Sequence, residues 1–409
     1  MTTSGSRLLD GVTVIDNSHY LAGPYLSRCL AAMGADVIKV ERPTIGDAAR
    51  LSPLVVDHGY SGYFMQQNMG KRGLCLNVKD PDGLDLFHRL VKKADVLVEN
   101  LRPGAMKRMG LDYDSLAGLN PALVYCSISA NGHTGPDWDR AGFGLIAEAK
   151  CGGMSMLGTP GEAPPVYGMS LADMYTGAHG VAAVCAALLG RVKTGKGQFI
   201  DLSLYDCMVS MHEYAVQEYL LSDGAITPPQ MGKELASSIV YGVYAARDGA
   251  FVVAAQMEDS WKRLARVIGG EDLAADQTYW SVTGRNDNAD RIRELIEAWS
   301  MSQESVADVV AELGAAGLVC SKIQTIKDVV EDPQIAARGM ILDIDHPVLG
   351  PIRLPNHPLR FSDADTSPTR VAPTLGQHNA EIAAELGFST EEIESLESRG
   401  ILYAPAPAR

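Results

Sequence analysis

The first half of the chain alternates short apolar runs with helical stretches. Apolar runs that contain β-branched residues lie at 12–16, 36–40, 94–98 and 122–128. Helical stretches lie between them, such as the one through Leu90 that Asp80 and Pro81 open. Strands that alternate with helices form parallel sheets covered on both faces. The pattern therefore predicts an α/β fold whose large domain is a Rossmann-like, parallel-sheet domain.

The pattern changes after residue 220, in the segment Asp223-Gly-Ala-Ile-Thr-Pro-Pro229. Two β-rich runs at 239–244 and 250–255 flank Asp248-Gly249, which is a good signal for a hairpin. Helical segments follow, and a Pro-rich tail ends in a short helix opened by the capping box Ser389-Thr-Glu-Glu392. We therefore predict a large α/β domain at 1–220, a linker at 221–229, a smaller α+β domain at 230–335 and a C-terminal segment at 336–409.

Composition excludes several classes of protein. The chain has 409 residues, 46% of them hydrophobic, which is ample for two domains. Its net charge of −15 argues against a nucleic-acid partner, because nucleic acids attract basic surfaces. No run approaches the ~20 apolar residues of a membrane span, and the N-terminus lacks the apolar core of a secretory signal. Seven cysteines are dispersed without a Cys-x-x-Cys pair, so we expect reduced thiols, no membrane association and a cytoplasmic protein.

Asp173 is the residue with the clearest candidate chemistry. It stands ahead of the small, apolar run 178–189, which is typical of a buried helix. Helix N-termini favour negative charge, because unpaired N–H groups point outward there. Asp173 is therefore either an N-cap, the common role of aspartate at such a position, or a nucleophile that forms a covalent intermediate.

The sequence lacks the usual nucleotide and metal motifs. No Gly-x-Gly-x-x-Gly follows the first strand, so a dinucleotide site is excluded. The segment 190–197 mimics a P-loop, but Gly197 occupies the Ser/Thr position and the segment joins a helix to a strand, the reverse of the required order. The nine histidines show no paired metal-ligand spacing, and no Gly-x-Ser-x-Gly elbow occurs. We therefore expect no metal ion.

A set of motifs runs in a fixed order along nearly the whole chain. It includes Leu9-Asp-Gly-Val-Thr-Val-Ile-Asp16, Ala22-Gly-Pro24, Met33-Gly-Ala-Asp-Val-Ile-Lys-Val-Glu-Arg-Pro43, Ala94-Asp-Val-Leu-Val-Glu-Asn-Leu-Arg-Pro-Gly104, Leu171-Ala-Asp173 and Leu375-Gly-Gln-His378. In this order the motifs resemble the class III CoA-transferase family, which contains formyl-CoA, carnitine and bile-acid CoA-transferases and the α-methylacyl-CoA racemases. The resemblance implies a homodimer of two interlocked chains, in which the C-terminal segment returns to the large domain.

The resemblance also implies a reaction and its participants. The partners are an acyl-CoA and a free carboxylic acid, with coenzyme A as a co-substrate and no permanently bound cofactor. Asp173 attacks the donor thioester to give a mixed anhydride, and the CoA thiolate then forms an aspartyl–CoA thioester, which the acceptor acid resolves by the reverse steps. The family's motifs place the CoA contacts at Ala22, Arg42, Leu76, Lys79, Asn100, Leu101, Arg102 and Arg108.

The sequence departs from the family pattern at three places. The formyl-CoA branch has a glycine tetrad near 232–241, where this chain has none. Ala141 stands where the family has a lysine that helps to bind CoA. Phe143 stands where the racemase branch has the histidine that moves the α-proton. We expect substrate contacts at Phe143, Tyr175, Ser237 and Ser238.

Three functions follow from these observations. CoA transfer through an aspartyl intermediate is the prediction, because a phenylalanine side chain cannot act as the base that racemisation needs. The alternatives are an α-methylacyl-CoA racemase or epimerase and a non-catalytic CoA-binding protein. The sequence does not identify the donor or the acceptor acid.

Overall fold

The computed structural model describes residues 7–52, 55–56, 60–235 and 238–405, which form two compact units. The first unit comprises the described residues up to Cys151, Tyr167–Met211 and the described residues from Ala337 onward. The second unit comprises Gly152–Val166 and the described residues from His212 to Ala336.

The boundaries of the units differ from the predicted domain boundaries. Residues 152–166 and 212–220 belong to the second unit, whereas the prediction assigned them to the large domain. The second unit also contains the predicted linker 221–229 and ends at Ala336, where the C-terminal segment was predicted to begin. The reason is a pairing between segments that are distant in the chain. The backbone N–H of Met231 donates to the carbonyl of Met156 at 2.9 Å. A division of the sequence into consecutive ranges does not reveal such a pairing.

A parallel sheet forms the centre of the first unit. The strands of this unit's first part are β1 Thr13–Asn17, β2 Asp36–Glu41, β3 Val55–Val56, β4 Tyr60–Ser61, β5 Arg72–Cys75, β6 Val96–Glu99, β7 Val124–Ser129 and β8 Phe199–Ser203. Six of them pair in parallel in the order β5-β2-β1-β6-β7-β8, which confirms the predicted α/β fold. β6 and β7 are buried along their whole length, as expected of strands covered on both faces.

Helices cover both faces of this sheet. They are α1 Ala22–Ala32, α2 Gly62–Asn68, α3 Pro81–Lys93, α4 Ala105–Arg108, α5 Tyr113–Ala117, α6 Gly144–Lys150, α7 Leu171–Thr194 and α8 Leu204–Ser210. In one hydrophobic core Phe87 of α3 lies with Leu97 of β6. In the other, Leu26 of α1 and Val184 of α7 lie with Val98. Because side chains alternate along β6, its residues supply both cores.

The long helix α7 packs closely on α1 through small residues. A Cβ atom built at Gly177 would lie 2.8 Å from both the carbonyl oxygen of Ala22 and the Cδ1 atom of Tyr25, so this contact requires glycine. Among the described residues, α7 is the one helix long and apolar enough to cross a membrane, and 39% of its most apolar window is buried. The close packing fixes the start of α1 beside the start of α7.

The second unit contains an antiparallel sheet with helices. Its elements are α9 Ala215–Leu221, β9 Glu234–Leu235, β10 Ser238–Ala246, β11 Gly249–Ala254, α10 Glu258–Ala275, α11 Val282–Asp287, α12 Ala289–Ser302, α13 Val306–Ala315, β12 Val319–Lys322, α14 Ile326–Glu331 and α15 Pro333–Ala337, whose last residue lies in the first unit. The sheet order is β12-β11-β10-β9. Ala246 pairs with Gly249 across the turn, which confirms the hairpin predicted at Asp248-Gly249.

The C-terminal residues belong to the first unit. They form β13 Ile341–His346, β14 Gly350–Pro355, α16 Asn379–Glu385 and α17 Thr390–Ser398. Arg72 of β5 forms ion pairs with Glu381 and Glu385 of α16 at 2.9 and 2.8 Å. Helix α17 begins with the predicted capping box of Ser389 and Glu392. These contacts cover the outer edge of the parallel sheet, where β5 is the last strand.

Candidate active site

A cavity of about 510 Å³ lies among the loops that follow the parallel strands of the first unit. Parallel sheets commonly bind ligands at the carboxyl ends of their strands. Of the residues predicted from the sequence, the cavity is lined by Ala22, Arg42, Leu76, Lys79, Asn100, Leu101, Arg102, Phe143 and Asp173. The structure therefore brings together the proposed nucleophile and most of the proposed CoA contacts.

The other predicted residues lie elsewhere. Arg108 is the last residue of α4 and does not line the cavity. Tyr175 lies on α7 beside His179, with the ring centroids 4.3 Å apart, and does not line it either. Ser238 begins β10 in the second unit. Ser237 lies outside the described residues.

Asp173 occupies the first turn of α7 but is not its N-cap. Ser170 is the N-cap residue, and its side chain makes no capping hydrogen bond. The N–H of Ala172 donates to Glu148 Oε1 at 3.2 Å, so a carboxylate on α6 accepts one of the unpaired N–H groups at this end of the helix. The Asp173 carboxylate instead accepts a hydrogen bond from the backbone N–H of Ala22, the first residue of α1. The N-cap interpretation of Asp173 is therefore wrong.

The surroundings of Asp173 favour its uncharged form. The pKa of Asp173 is raised from 3.8 to about 6. Burial is the largest cause and the negative charge of Glu148 the second, whereas the hydrogen bond from the N–H of Ala22 lowers the pKa. The Tyr63 phenol on α2 lies near the same carboxylate. Burial, Asp173 and Asp47 all raise the pKa of Tyr63, so this phenol is a neutral neighbour at physiological pH. Asp173 thus sits in a weakly solvated site, with the anionic side chain of Glu148 as a neighbour.

The start of α6 lies directly against the nucleophile candidate. A Cβ atom built at Gly144 would overlap Oδ2 of Asp173, so any larger residue there would displace this carboxylate. The preceding residue, Phe143, is 66% exposed and lines the cavity. Its ring meets that of Tyr20 edge to face, with the centroids 6.3 Å apart. The two aromatic rings form an apolar edge on the cavity that holds Asp173.

A buried ion network lies beneath the loop that leads into α1. Lys39 is fully buried and forms an ion pair with Asp47 Oδ2 at 3.0 Å. Lys71 is also fully buried and forms an ion pair with Asp16 at 2.7 Å. Burial lowers the pKa of Lys71 to about 8, whereas the lysines hold the pKa values of Asp16 and Asp47 below the ordinary range despite burial. Each buried charge is therefore compensated by an opposite one.

This network and Asn100 hold the loop at residues 18–21 in place. The backbone N–H of Tyr20 donates to Asp47 Oδ1 at 3.1 Å. Asn100 accepts from the N–H of His19 at 2.7 Å and donates to its carbonyl at 2.8 Å. Tyr20 has a φ of +64°, a strained value for a residue with a side chain. The loop is thus fixed from two sides, and it delivers the N–H of Ala22 to Asp173.

Positive side chains gather around the cavity despite the acidic net charge. Arg42, Lys79 and Arg102 follow β2, β5 and β6 and line it from neighbouring loops. Arg140 lines it from the loop after β7, next to Ala141, where the resemblance implied a lysine. The carboxylate of Glu41, which also lines the cavity, forms an ion pair with Arg50 at 2.7 Å, so its negative charge is compensated. The cavity is therefore suited to an anionic ligand.

Comparison with known proteins decides the family. The chain matches the model of CoA-transferase family III over residues 9–379. The chain belongs to this family. It is 34% identical to a succinate–glutarate CoA-transferase of Agrobacterium fabrum, over 92% of this chain and 95% of that protein. It is 32% identical to a formyl-CoA:oxalate CoA-transferase of Streptomyces avermitilis, over 97% of this chain and 100% of that protein.

The fold is also shared with a solved member of the family. A CaiB/BaiF family protein from Brucella suis has a crystal structure that matches with a TM-score of 0.83 at 37% identity, over 92% of this chain and 99% of that one. The two relatives are named CoA-transferases, and the match to this chain covers nearly the full length of each. The protein is therefore an enzyme that transfers CoA between an acyl-CoA and a carboxylic acid.

Several residues at this candidate active site were not predicted from the sequence. Glu148 lies four residues after Gly144, one helical turn further along the same face of α6. That spacing was the available signal, but its meaning depends on α6 packing against α7. Tyr63, Tyr20 and Arg140 reach the site from three other segments. Among the described residues, no group of three or more His, Cys, Asp or Glu side chains is arranged to hold a metal ion.

Proposed function

We propose that Asp173 is the nucleophile of this CoA-transferase. Its carboxylate oxygen attacks the thioester carbonyl of the donor, the C–S bond breaks, and the products are a mixed anhydride and CoA thiolate. The thiolate attacks the aspartyl carbonyl and releases the donor carboxylate, which leaves an aspartyl–CoA thioester. The acceptor carboxylate then runs the two steps in reverse, so that no water, proton or redox partner is consumed. The observation that carries this proposal is a half-buried carboxylate that faces the cavity and does not cap its own helix.

The first residue of α1 supports the same role. The Ala22 N–H donates to the Asp173 carboxylate in the resting enzyme. When Asp173 is acylated, the same N–H is placed to stabilise the negative oxygen that develops at the aspartyl carbonyl. The positive end of the α1 dipole adds to this stabilisation. The apolar pair of Tyr20 and Phe143 shields the intermediates, which both hydrolyse in water.

We propose that the cations of the cavity bind the phosphates of CoA. Arg42, Lys79 and Arg102 supply charge from adjacent loops, with Arg140 in place of the missing lysine. The rest of the CoA molecule, from the nucleotide toward the thiol, then contacts Leu76, Leu101, Asn100 and Ala22. Arg108, at the end of α4, is proposed as a further phosphate contact once CoA is bound.

The acceptor is proposed to be a dicarboxylic acid. The names of the relatives include succinate, glutarate and oxalate, which are all dicarboxylic acids. A screen of these acids and of matched monocarboxylic acids, with succinyl-CoA, formyl-CoA and acetyl-CoA as donors, tests this choice. Turnover with the monoacids alone would contradict it.

We propose that the enzyme is a cytoplasmic homodimer. One face of helix α7 is buried in the first unit, and the other carries the exposed apolar residues Ala178, Ala182, Ala186 and Leu189. Such a face is suited to a second copy of the chain, which is the assembly implied by the family resemblance. Five of the seven cysteine thiols are buried, which is consistent with a reducing compartment. Light scattering of the purified protein measures the assembly directly.

Racemisation is disfavoured at this site. An α-methylacyl-CoA racemase needs a titratable group opposite Asp173 to move the α-proton. Phe143 occupies the corresponding place on the cavity wall and cannot exchange a proton. Deuterium from the solvent at the α-carbon of 2-methylacyl-CoA, without exchange of acids, would favour the racemase.

Trapping the intermediate tests the nucleophile. The wild-type enzyme is incubated with an acyl-CoA and quenched with hydroxylamine or borohydride, and the peptide that contains Asp173 is examined by mass spectrometry. A mass shift on Asp173 is expected in the wild type and in the exposed control Asp272→Asn, but not in Asp173→Asn. An unmodified Asp173 with every donor of the screen, or full turnover by Asp173→Asn, would rule out the mechanism. A protein that only binds CoA would show neither adduct nor turnover.

A further inference from the structure

Glu148 is buried beside the proposed nucleophile. It lies on α6, its side chain is 3% exposed, and Oε1 accepts the hydrogen bond from the N–H of Ala172 at 3.2 Å. Ala172 is the residue before Asp173, so the carboxylate of Glu148 accepts a hydrogen bond from the first turn of α7 although it lies on a different helix. A negative charge is favoured there by the unpaired N–H groups of the turn.

We propose that Glu148 is a positioning residue for the nucleophile: it caps α7 in place of Asp173, and its fixed negative charge favours the acylated, uncharged states of Asp173 over the free carboxylate. The inference rests on the proposed function, because it assigns Glu148 a role in the formation of the aspartyl intermediates. It adds a second carboxylate, one that never reacts, to the catalytic arrangement.

The charge argument follows from the steps of the reaction. Asp173 carries a negative charge before attack and none as the anhydride or the thioester. The charge moves to the CoA thiolate and then to the released acid, both of which occupy the open cavity. A fixed anion behind Asp173 therefore destabilises the starting carboxylate more than it destabilises the acylated states. The first consequence is a more reactive nucleophile, and the second is a larger fraction of enzyme in the acylated form.

The other groups around Asp173 do not supply this charge. Among the described residues, the titratable side chains that interact electrostatically with its carboxylate are Glu148 from α6 and the neutral phenol of Tyr63 from α2. The remaining titratable groups on the segments packed against α7 are Tyr25, Arg28 and Cys29 on α1, Lys150 on α6, Tyr205, Asp206 and Cys207 on α8, Tyr125 and Cys126 on β7, and Asp201 on β8, with Tyr175, His179, Cys185, Arg191 and Lys193 on α7 itself. Lys150 is paired with Asp137 at 3.1 Å.

Substitutions at Glu148 separate its charge from its cap. Glu148→Gln keeps an oxygen for the Ala172 N–H and removes only the charge, whereas Glu148→Ala removes both. Glu148→Asp keeps the charge. Glu312→Gln on the exposed face of α13 is the matched control for the loss of one negative charge. For each protein, kcat/KM is measured from pH 4 to pH 9, because its acid limb reports a catalytic base of the free enzyme.

The expected results distinguish a charge effect from a structural one. The wild type, Glu148→Asp and Glu312→Gln should lose activity on the acid side near pH 6. In Glu148→Gln this limb should move down by about 1 pH unit, because the like charge that raises the pKa of Asp173 is removed. The plateau rate and the fraction of Asp173 trapped by hydroxylamine should both fall several-fold. Glu148→Ala should show the same changes and a lower melting temperature.

Two outcomes would overturn the inference. The first is a Glu148→Gln variant whose acid limb and trapped fraction equal those of the wild type, which would leave Glu148 as a cap only. The second is an acid limb near pH 4 in the wild type and in Glu148→Asp, and this measurement decides the question even if Glu148→Gln does not fold. Failure of the proposed function looks different, because the wild type itself would then yield no adduct on Asp173.

Discussion

Glu99 makes the stability of the first unit depend on pH. Its side chain is 4% exposed at the end of β6, and it accepts hydrogen bonds from the Ser127 hydroxyl and, at 2.8 Å, from the backbone N–H of Leu101. Burial raises the pKa of Glu99 from 4.5 to about 7, although these two hydrogen bonds oppose the change. The folded protein therefore retains a proton that the unfolded chain releases as the pH rises above 4.5.

The sign and the size of the effect follow from proton linkage. Between pH 4.5 and about 7 the unfolded chain binds fewer protons than the folded one, so the free energy of unfolding falls as the pH rises. The contribution is fully present below pH 4.5 and is lost above about pH 7. Each pKa unit corresponds to about 1.4 kcal/mol, so a difference of about 2.5 between the two pKa values amounts to about 3.5 kcal/mol.

The substitution Glu99→Gln tests this reasoning. Glutamine keeps the size of the side chain and an oxygen for the N–H of Leu101, but it does not titrate. Urea unfolding of the wild type and the variant is measured at pH 5 and pH 8. The variant should gain stability relative to the wild type between these pH values, by up to about 3 kcal/mol. Glu312→Gln should gain none, and a constant difference between Glu99→Gln and the wild type at both pH values would refute the reasoning.

Three further substitutions probe the site and the assembly. Gly144→Ala places a Cβ on Oδ2 of Asp173, and because it displaces a reacting group, kcat should fall by about 100-fold or more. The control is Gly168→Ala, where a Cβ meets nothing within 4 Å, and equal kcat values for the two variants would contradict the steric argument. Arg42→Ala should raise KM for the acyl-CoA at least about tenfold, because a charge-assisted hydrogen bond is lost, and should leave KM for the free acid unchanged. Arg338→Ala on the surface should change neither KM, and an effect of Arg42→Ala on KM for the acid alone would contradict the proposed contact of Arg42 with CoA. Leu189→Glu puts a charge on the exposed face of α7 and should shift the mass found by light scattering toward the monomer, whereas an unchanged dimer would place the interface elsewhere.

The large domain was predictable because its strands are apolar and bounded by helix signals. The runs at 12–16, 36–40, 94–98 and 122–128 became β1, β2, β6 and β7 with ends displaced by at most two residues. Strand β5 was not predicted. It has four residues, Arg72-Gly-Leu-Cys75, and includes a charge and a glycine that disfavour a strand. It pairs with β2 on one side, and on the other the N–H groups of Gly73 and Cys75 donate to His378 and Asn379 of the C-terminal segment, a contact that distance in the sequence hides.

The candidate site was predictable where the family's motifs carry it and unpredictable where packing creates it. Asp173 and the CoA contacts followed from the motifs, and most of them do line one cavity. The role of Glu148 required knowledge that α6 crosses the start of α7. Lys39 gave a weak signal, since a lysine inside a parallel strand must be compensated, but the sequence did not show that Asp47 and Asp16 compensate it.

Stability and reactivity are assigned to different carboxylates at this site. An aspartate in the first turn of a helix ordinarily stabilises that helix, and such a residue reacts poorly because its charge is already well satisfied. Here Glu148 accepts the N–H of Ala172 in that turn, whereas the Asp173 carboxylate accepts the N–H of Ala22 on α1. In the proposed mechanism the nucleophile is therefore held in position by a helix whose first turn is bound by another carboxylate. We expect this separation to let Asp173 lose its charge in each catalytic cycle while the start of α7, and with it the geometry of the cavity, stays unchanged.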